Sequence, residues 1–175
     1  MRILVVVASR HGATWEIGEV VAEALASRGH VVDQRAPEDV ESVDGYEGVV
    51  LGSAVYLAHW MPSAREFAER FADQLRRVPV WMFSSGLATL PAASANSPHE
   101  LFATRAQIGA RGHRSFRGRL DRAVLTFAER AAIAGARARE GDHRDLGAVR
   151  AWALGVADDF SAHPAVEASA HGAAV

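Results

Sequence analysis

Apolar residues recur along the chain with two different periods, and the alternation between them predicts the architecture. The run Arg2-Ile3-Leu4-Val5-Val6-Val7 is short, β-branched and almost uninterrupted, as in a strand buried on both faces of a parallel sheet. From Thr14 to Arg28 the period changes. Ile17, Val20, Val21, Ala24 and Leu25 mark one stripe of a helix, and Gly29 stands where a helix end favours positive φ. A second strand is expected over 30–34, followed by an acidic loop or loose turn over 38–44. Residues 48–52 read as a third buried strand and 53–61 as a loop rich in aromatic and apolar residues. Pro62 suits the first turn of a helix whose buried stripe is Phe67, Ala68, Phe71 and Leu75. A fourth strand over 78–84 leads into a long loop reaching Pro98. A helix over 99–108 and a weaker fifth strand over 115–120 come next. Asp121 is placed to cap a long helix over 122–139, with Leu125, Phe127, Ala128, Ala131, Ala132 and Ile133 as its buried face. A polar turn over 141–145 precedes a final helix, 146–160, carrying Val149, Trp152, Ala153 and Val156.

Strands alternating with helices predict an α/β, three-layer sandwich: a five-stranded parallel sheet of order 2-1-3-4-5, with helices on both faces. One domain over 1–161 and a flexible tail over 162–175 fit the length of 175 residues. Ligands of such sheets bind beyond the carboxyl ends of the strands. Three loops share that edge here: 9–14, 53–61 and 84–96.

The first of them, Ser9-Arg10-His11-Gly12-Ala13-Thr14, joins a strand to a helix. The leading N–H groups of a helix have no intrahelical partner and carry partial positive charge, so a phosphate can take them directly. Ser9 and Thr14 add hydroxyls, and Gly12 permits close approach. An ordinary turn with Thr14 as N-cap is the plainer reading of the same residues. A Walker loop is excluded, because the chain has no lysine, and a dinucleotide GxGxxG is excluded by the single glycine. The other two loops offer apolar faces and backbone edges to a flat amphipathic ring. Tyr56, His59 and Trp60 are candidates for stacking or edge contacts, and Ser84, Ser85 and Gly86 for the polar edge. Packing at a helix entrance accounts for the same aromatic residues equally well.

Composition narrows the chemistry. The absence of cysteine rules out disulfides, thiolate nucleophiles and cysteine-ligated metals, and a net charge of −2 gives no footprint for nucleic acid. Met1-Arg2 runs straight into the first strand, and no stretch reaches transmembrane length, so a cytoplasmic protein without a membrane span is expected.

Taken together, 8–14 resembles the FMN phosphate loop of flavodoxins. More specifically, the chain is similar to the flavodoxin-domain family that includes the menaquinone-dependent protoporphyrinogen oxidase. The matching pieces are Gly52-Ser53-Ala54-Val55-Tyr56 with His59, Phe83-Ser84-Ser85-Gly86-Leu87, Phe116-Arg117-Gly118-Arg119-Leu120-Asp121, and Glu140-Gly141-Asp142-His143-Arg144-Asp145 with Trp152. The resemblance implies a flavodoxin-like fold and non-covalent FMN. Its phosphate would rest on Ser9, Arg10, His11, Gly12, Ala13 and Thr14. Its ring would lie between Ser53, Ala54, Val55, Tyr56, Leu57 and Ala58 on one side and Ser84, Ser85, Gly86 and Leu87 on the other. It also implies an oxidoreductase passing electrons from a porphyrinogen-type donor through flavin to a quinone. The alanine-rich stretch after the fifth strand departs from the oxidase's more basic and bulky region. That stretch could instead pack on a second subunit, which makes a homodimer an expectation.

Two functions follow. In an FMN oxidoreductase the flavin does the chemistry, and His59 is the one titratable candidate near the ring. In a flavodoxin-type electron carrier there is a redox partner but no substrate. Such carriers are acidic around the flavin, whereas no carboxylate lies between Ser53 and Ser63 or between Ser84 and Pro98. A phosphoacceptor receiver domain is set aside, since the chain lacks a lysine and no aspartate ends its central strands. A cofactor-free regulatory scaffold remains the reading in which the loop match is fortuitous.

Overall fold

The chain is described by a computed structural model covering residues 1–56, 58–87, 100–128, 130–131 and 140–163. Strand β1 (Arg2–Ala8) is sequestered from water along nearly its whole length and sends alternate side chains to opposite faces. Leu4, Val6 and Ala8 enter one core, and Ile3, Val5 and Val7 the other. Around β1 lie β2 (Val31–Arg35), β3 (Gly48–Tyr56), β5 (Val80–Gly86) and β6 (Gly112–Arg117), while the two-residue β4 (His59–Trp60) pairs only with β3. The order β2-β1-β3-β5-β6 is parallel throughout and is the predicted 2-1-3-4-5 once β4 takes a number.

One core is closed by α2 (Pro62–Arg70), α3 (Ala72–Leu75) and α4 (Glu100–Ile108). The other is closed by α1 (Ala13–Ala26) and the final helix α5 (Leu146–Ala162). The predicted stripes are buried at Ile17, Val21, Ala24 and Leu25 on α1, with Val20 partly buried, and at Phe67, Ala68, Phe71 and Leu75. Gly29 has the expected positive φ of 85°. No helix among the described residues is long and apolar enough to cross a membrane.

Four expectations need correction. The loop foreseen over 53–61 is largely strand: β3 continues to Tyr56, and β4 folds back on it with Val55 opposite Trp60 and Tyr56 opposite His59. Ser53 makes this continuation workable, because its hydroxyl accepts the Met61 N–H at 3.0 Å and donates to the Ala54 carbonyl at 2.9 Å. The fifth strand starts at Gly112 rather than Ser115, and Gly112 leaves the room that the Trp81 ring fills. The polar turn over 141–145 begins as strand β8 (Gly141–Asp142), antiparallel to β7 (Arg119–Leu120).

The fourth correction concerns the long helix over 122–139. Asp121 does cap, accepting the Ala123 N–H at 2.9 Å, but the element it caps is a 3-10 turn, Arg122–Val124, and the chain is extended again at Leu125. Phe127 is 89% exposed, and Ala128 and Ala131 are exposed too, while Ala132 and Ile133 lie outside the described residues. Helical backbone follows at Phe127, Ala128, Arg130 and Ala131, with Arg130 N–H donating to the Thr126 carbonyl at 3.0 Å, so the expected helix begins later than residue 122. The tail over 164–175 also lies outside the described residues.

The β3–β4 turn holds Ala58 at φ 62°, the one non-glycine residue with positive φ among those described. A Cβ in that region costs about 1–2 kcal/mol, more than glycine loses through its freer unfolded chain. Ala58→Gly is expected to raise stability by about 0.5–1 kcal/mol, or Tm by about 2 °C. A fall in Tm on thermal unfolding would show that the turn is unstrained.

Candidate functional site

A cavity opens at the carboxyl ends of β1, β3 and β5, enclosing about 680 Å³ including the part open to solvent. Ser9, Arg10, His11, Ala13 and Thr14 form one wall; Ala54, Val55, Tyr56 and Met61 a second; and Ser85, Gly86 and Leu87 a third. These are segments of the three predicted loops. A fourth wall, Gly118 to Asp121 with Val124 and Leu125, was not among the predicted site residues.

The first wall stands at the head of α1. Gly12, at φ 81°, is the residue before α1, and no side chain caps the helix; the expected Thr14 cap is absent. Glu16 N–H donates to the Gly12 carbonyl at 3.0 Å, so the amides between them precede the helical ladder. The hydroxyl of Ser9 is buried and has no hydrogen-bond partner. An unsatisfied buried hydroxyl costs on the order of 1–3 kcal/mol unless a ligand completes it.

The other predicted residues separate by how far along the strands they stand: Ala54-Val55-Tyr56 and Ser85-Gly86-Leu87 reach the cavity at the strand ends. Ala54 pairs in register with Ser85 and both line the cavity, whereas the adjacent pair, Ser53 and Ser84, is fully buried and does not. The Ser84 hydroxyl accepts Trp60 Nε1–H at 2.8 Å and lies 2.7 Å from His113 Nε2. Trp60 is 1% exposed, a core side chain rather than a stacking group. His59 is outside the cavity lining. Its Nδ1 lies 3.2 Å from Glu100, which also accepts the Trp60 N–H at 2.8 Å. Burial opposes ionisation of Glu100, but that N–H together with His59 and Arg65 holds it below the ordinary carboxylate range. Gly12 and Ala58 shape the turns at the cavity without lining it, and Leu57 lies outside the described residues. Of the three aromatic candidates, Tyr56 alone lines the cavity, with the Arg10 guanidinium 5.4 Å from its ring centroid.

The fourth wall is fixed from behind by ion pairs. Arg144, its side chain 4% exposed, grips Asp142 in a bidentate pair at 2.8 and 2.6 Å and reaches Glu16 at 2.7 Å and the Ala13 carbonyl at 3.1 Å. Arg119 joins Glu16 at 2.9 Å. These bonds tie β7 and β8 to the first turn of α1. Hydrogen bonding from Arg144 brings the Asp142 carboxyl down to about 2 and, against a cost of burial, holds Glu16 low with help from Arg119. Among the described residues, the only carboxylate lining the cavity is Asp121, against the cations Arg10 and Arg119. Gly118 closes the junction: its N–H donates to the Gly86 carbonyl at 2.8 Å, and a Cβ there would lie 3.3 Å from Ser85 Oγ. Among the described residues, no group of His, Asp and Glu could hold a metal ion.

Comparison with known proteins bears on the whole arrangement. The sequence profile described as Flavodoxin domain matches residues 4–146. No curated protein matches the sequence significantly. Among solved structures, a flavodoxin from the domain Archaea superposes with a TM-score of 0.61 at 13% identity, covering 92% of this chain and 99% of its own. A WrbA-like flavodoxin from Agrobacterium tumefaciens superposes with a TM-score of 0.57 at 15% identity, covering 93% and 98%. The flavodiiron protein from Giardia intestinalis matches with a TM-score of 0.60 at 12% identity over 92% of this chain, which spans 36% of that protein. These likenesses establish the fold.

Proposed function

The chain belongs to the flavodoxin domain family, and on that basis we propose that the cavity binds FMN and that the protein is an oxidoreductase transferring electrons through it. The observation that carries this reading is the buried, unpartnered Ser9 hydroxyl at the head of α1, beside amides that precede the helical ladder. That donor set suits a phosphate ester without requiring a lysine. The ester is assigned to Ser9 through Thr14, and the ring to the space between Ala54-Val55-Tyr56 and Ser85-Gly86-Leu87. Bound flavin would supply the electron chemistry, and the protein's part is to bind it, orient it and set the local charge. Tyr56 offers an aromatic face, the strand ends offer backbone edges, and Gly118 brings the fourth wall close to Ser85.

Charge favours an oxidoreductase over a low-potential carrier. Among the described residues, the lining carries Arg10, an Arg119 already paired with Glu16, and a single carboxylate, so the cavity lacks the acidic surround that resists added negative charge. A flavin potential above that of acidic flavodoxins is therefore part of the proposal. The finer reading, a porphyrinogen-type donor and a quinone acceptor, rests on the sequence resemblance and is tested by turnover with those substrates.

Purified protein mixed with FMN and desalted is expected to keep flavin absorbance. Ser9→Ala is expected to weaken FMN about tenfold, the worth of one charge-assisted hydrogen bond. Complete loss of flavin from the wild-type protein on desalting, with no quenching of FMN fluorescence on titration, would sink the proposal.

A further inference from the structure

We propose that the outer edge of β6 docks an acidic partner protein and holds it at the mouth of the cavity. The electron-transfer role of that partner rests on the FMN reading above; the docking itself does not. The whole chain carries a net charge of −2, yet residues 101–120 contain five arginines and no carboxylate. Two of the five are neutralised: Arg111 pairs with Asp159 at 2.6 Å and Arg119 with Glu16 at 2.9 Å. Arg105 bonds to the Ala110 and Arg111 carbonyls at 3.1 and 2.9 Å, which leaves its charge uncompensated beside the start of β6. Arg114 and Arg117 are both exposed on β6 and make no ion pair among the described residues.

These charges stand on a strand with an open side. Among the described strands β6 pairs with β5 alone, so one row of its N–H and C=O groups meets no neighbouring strand. Arg117 lies opposite Gly86, which lines the cavity, and the next residue, Gly118, lines it too. Arg114 stands about 10 Å further from the mouth, at the rise of a strand. An acidic polypeptide fits both features: its backbone can pair with the open edge, and its carboxylates meet the arginines. A nucleic acid or a bilayer would answer the charge and leave the strand edge unused. Charged residues also keep strand edges from pairing with copies of themselves. Glutamate would serve that purpose as well as arginine, so charge reversal separates the two roles.

The test is calorimetric titration of the full chain with an oxidised plant-type iron–sulfur ferredoxin, a small acidic protein, at low and high ionic strength. Wild-type binding is expected at low ionic strength, weakening as salt rises. Arg114→Glu combined with Arg117→Glu is expected to bind about tenfold more weakly, from two reversed surface charges. Arg35→Glu combined with Arg77→Glu changes the net charge equally at exposed sites away from β6, and is expected to bind as wild type does. FMN affinity is expected to be the same in all three proteins. No binding at low ionic strength, or equal weakening by both double variants, overturns the docking role and leaves the FMN reading standing. Parallel loss of FMN in the β6 variant would move its arginines into the flavin site and overturns the docking role too. Sedimentation with phosphatidylserine vesicles that the β6 reversal abolishes, without ferredoxin binding, would make this surface a membrane contact instead. A wild-type protein that binds ferredoxin through β6 but no FMN keeps the docking surface and loses the electron-transfer role.

Discussion

Replacing Arg144 with methionine is expected to destabilise the protein by about 3 kcal/mol, a fall of roughly 6–12 °C in Tm. Methionine keeps much of the side chain's apolar length, so the loss is chiefly electrostatic. The wild-type guanidinium is 4% exposed and bonds to Asp142, Glu16 and the Ala13 carbonyl. Without it two neighbouring carboxylates face each other, and that carbonyl loses a charged donor. Glu16 and Asp142 are 40% and 47% exposed, so water takes up part of their charge, which places the cost at the low end for breaking a buried pair. Because these bonds pin β7 and β8 to the start of α1, the substitution should also weaken FMN binding through a loosened fourth wall. Thermal unfolding with and without FMN checks both effects. A Tm within 2 °C of wild type would show that the cluster is a solvated surface group with no hold on the cavity.

This cluster marks the boundary of what the sequence discloses. Strand β1, the turn after it and α1 are legible because burial on both sides demands an unbroken apolar run and a helix packed on one side demands a stripe. The order of the sheet follows from the alternation of those two patterns. What escapes is whatever depends on depth along a strand or on distant partners. Ser53 and Ser84 look as good as Ala54 and Ser85 in a one-dimensional reading, yet the first pair is fully buried with its hydroxyls taken by Met61, Trp60 and His113, and the lining begins one residue later on each strand. Trp60 is aromatic beside a predicted ring site, but its indole hydrogen-bonds to Ser84 in the core. The fourth wall is a matter of contacts across the chain: Arg144 and Glu16 stand 128 residues apart, and nothing local to either marks the pair. The signal that was available is the order Gly118-Arg119-Leu120-Asp121 followed by Gly141-Asp142-His143-Arg144, noted as a resemblance but not assigned to the site. The start of the helix expected over 122–139 was misplaced for a related reason, the helical backbone beginning at Phe127 instead. Alanine favours helix wherever it occurs, but Leu125 is buried in extended conformation under the cavity, a tertiary contact that outweighs the local preference.

Acidification is expected to unfold the protein through His113 well before its carboxylates are protonated. Burial, reinforced by the nearby charge of Arg105, lowers the imidazole from its ordinary 6.5 to about 4. The unfolded chain therefore takes up a proton near pH 6.5 that the folded chain refuses until about pH 4. Between those values the unfolded state binds more protons, so stability rises with pH across that window. The contribution of His113 is complete above pH 6.5, is reduced by about 2 kcal/mol at pH 5 and levels off below pH 4. The hydrogen bond from Ser84 does not set this direction, since that hydroxyl can accept from a charged ring as well as donate to a neutral one. His113→Gln offers Ser84 an acceptor at the same place with no proton to gain. Its stability should be nearly flat from pH 7.5 to 5.5, leaving the later decline to Asp142 and other paired carboxylates. Urea unfolding of both proteins across that range measures the difference directly. Parallel pH profiles would mean that His113 reaches water in the folded protein and that the buried Trp60–Ser84–His113 chain beneath the cavity is not closed.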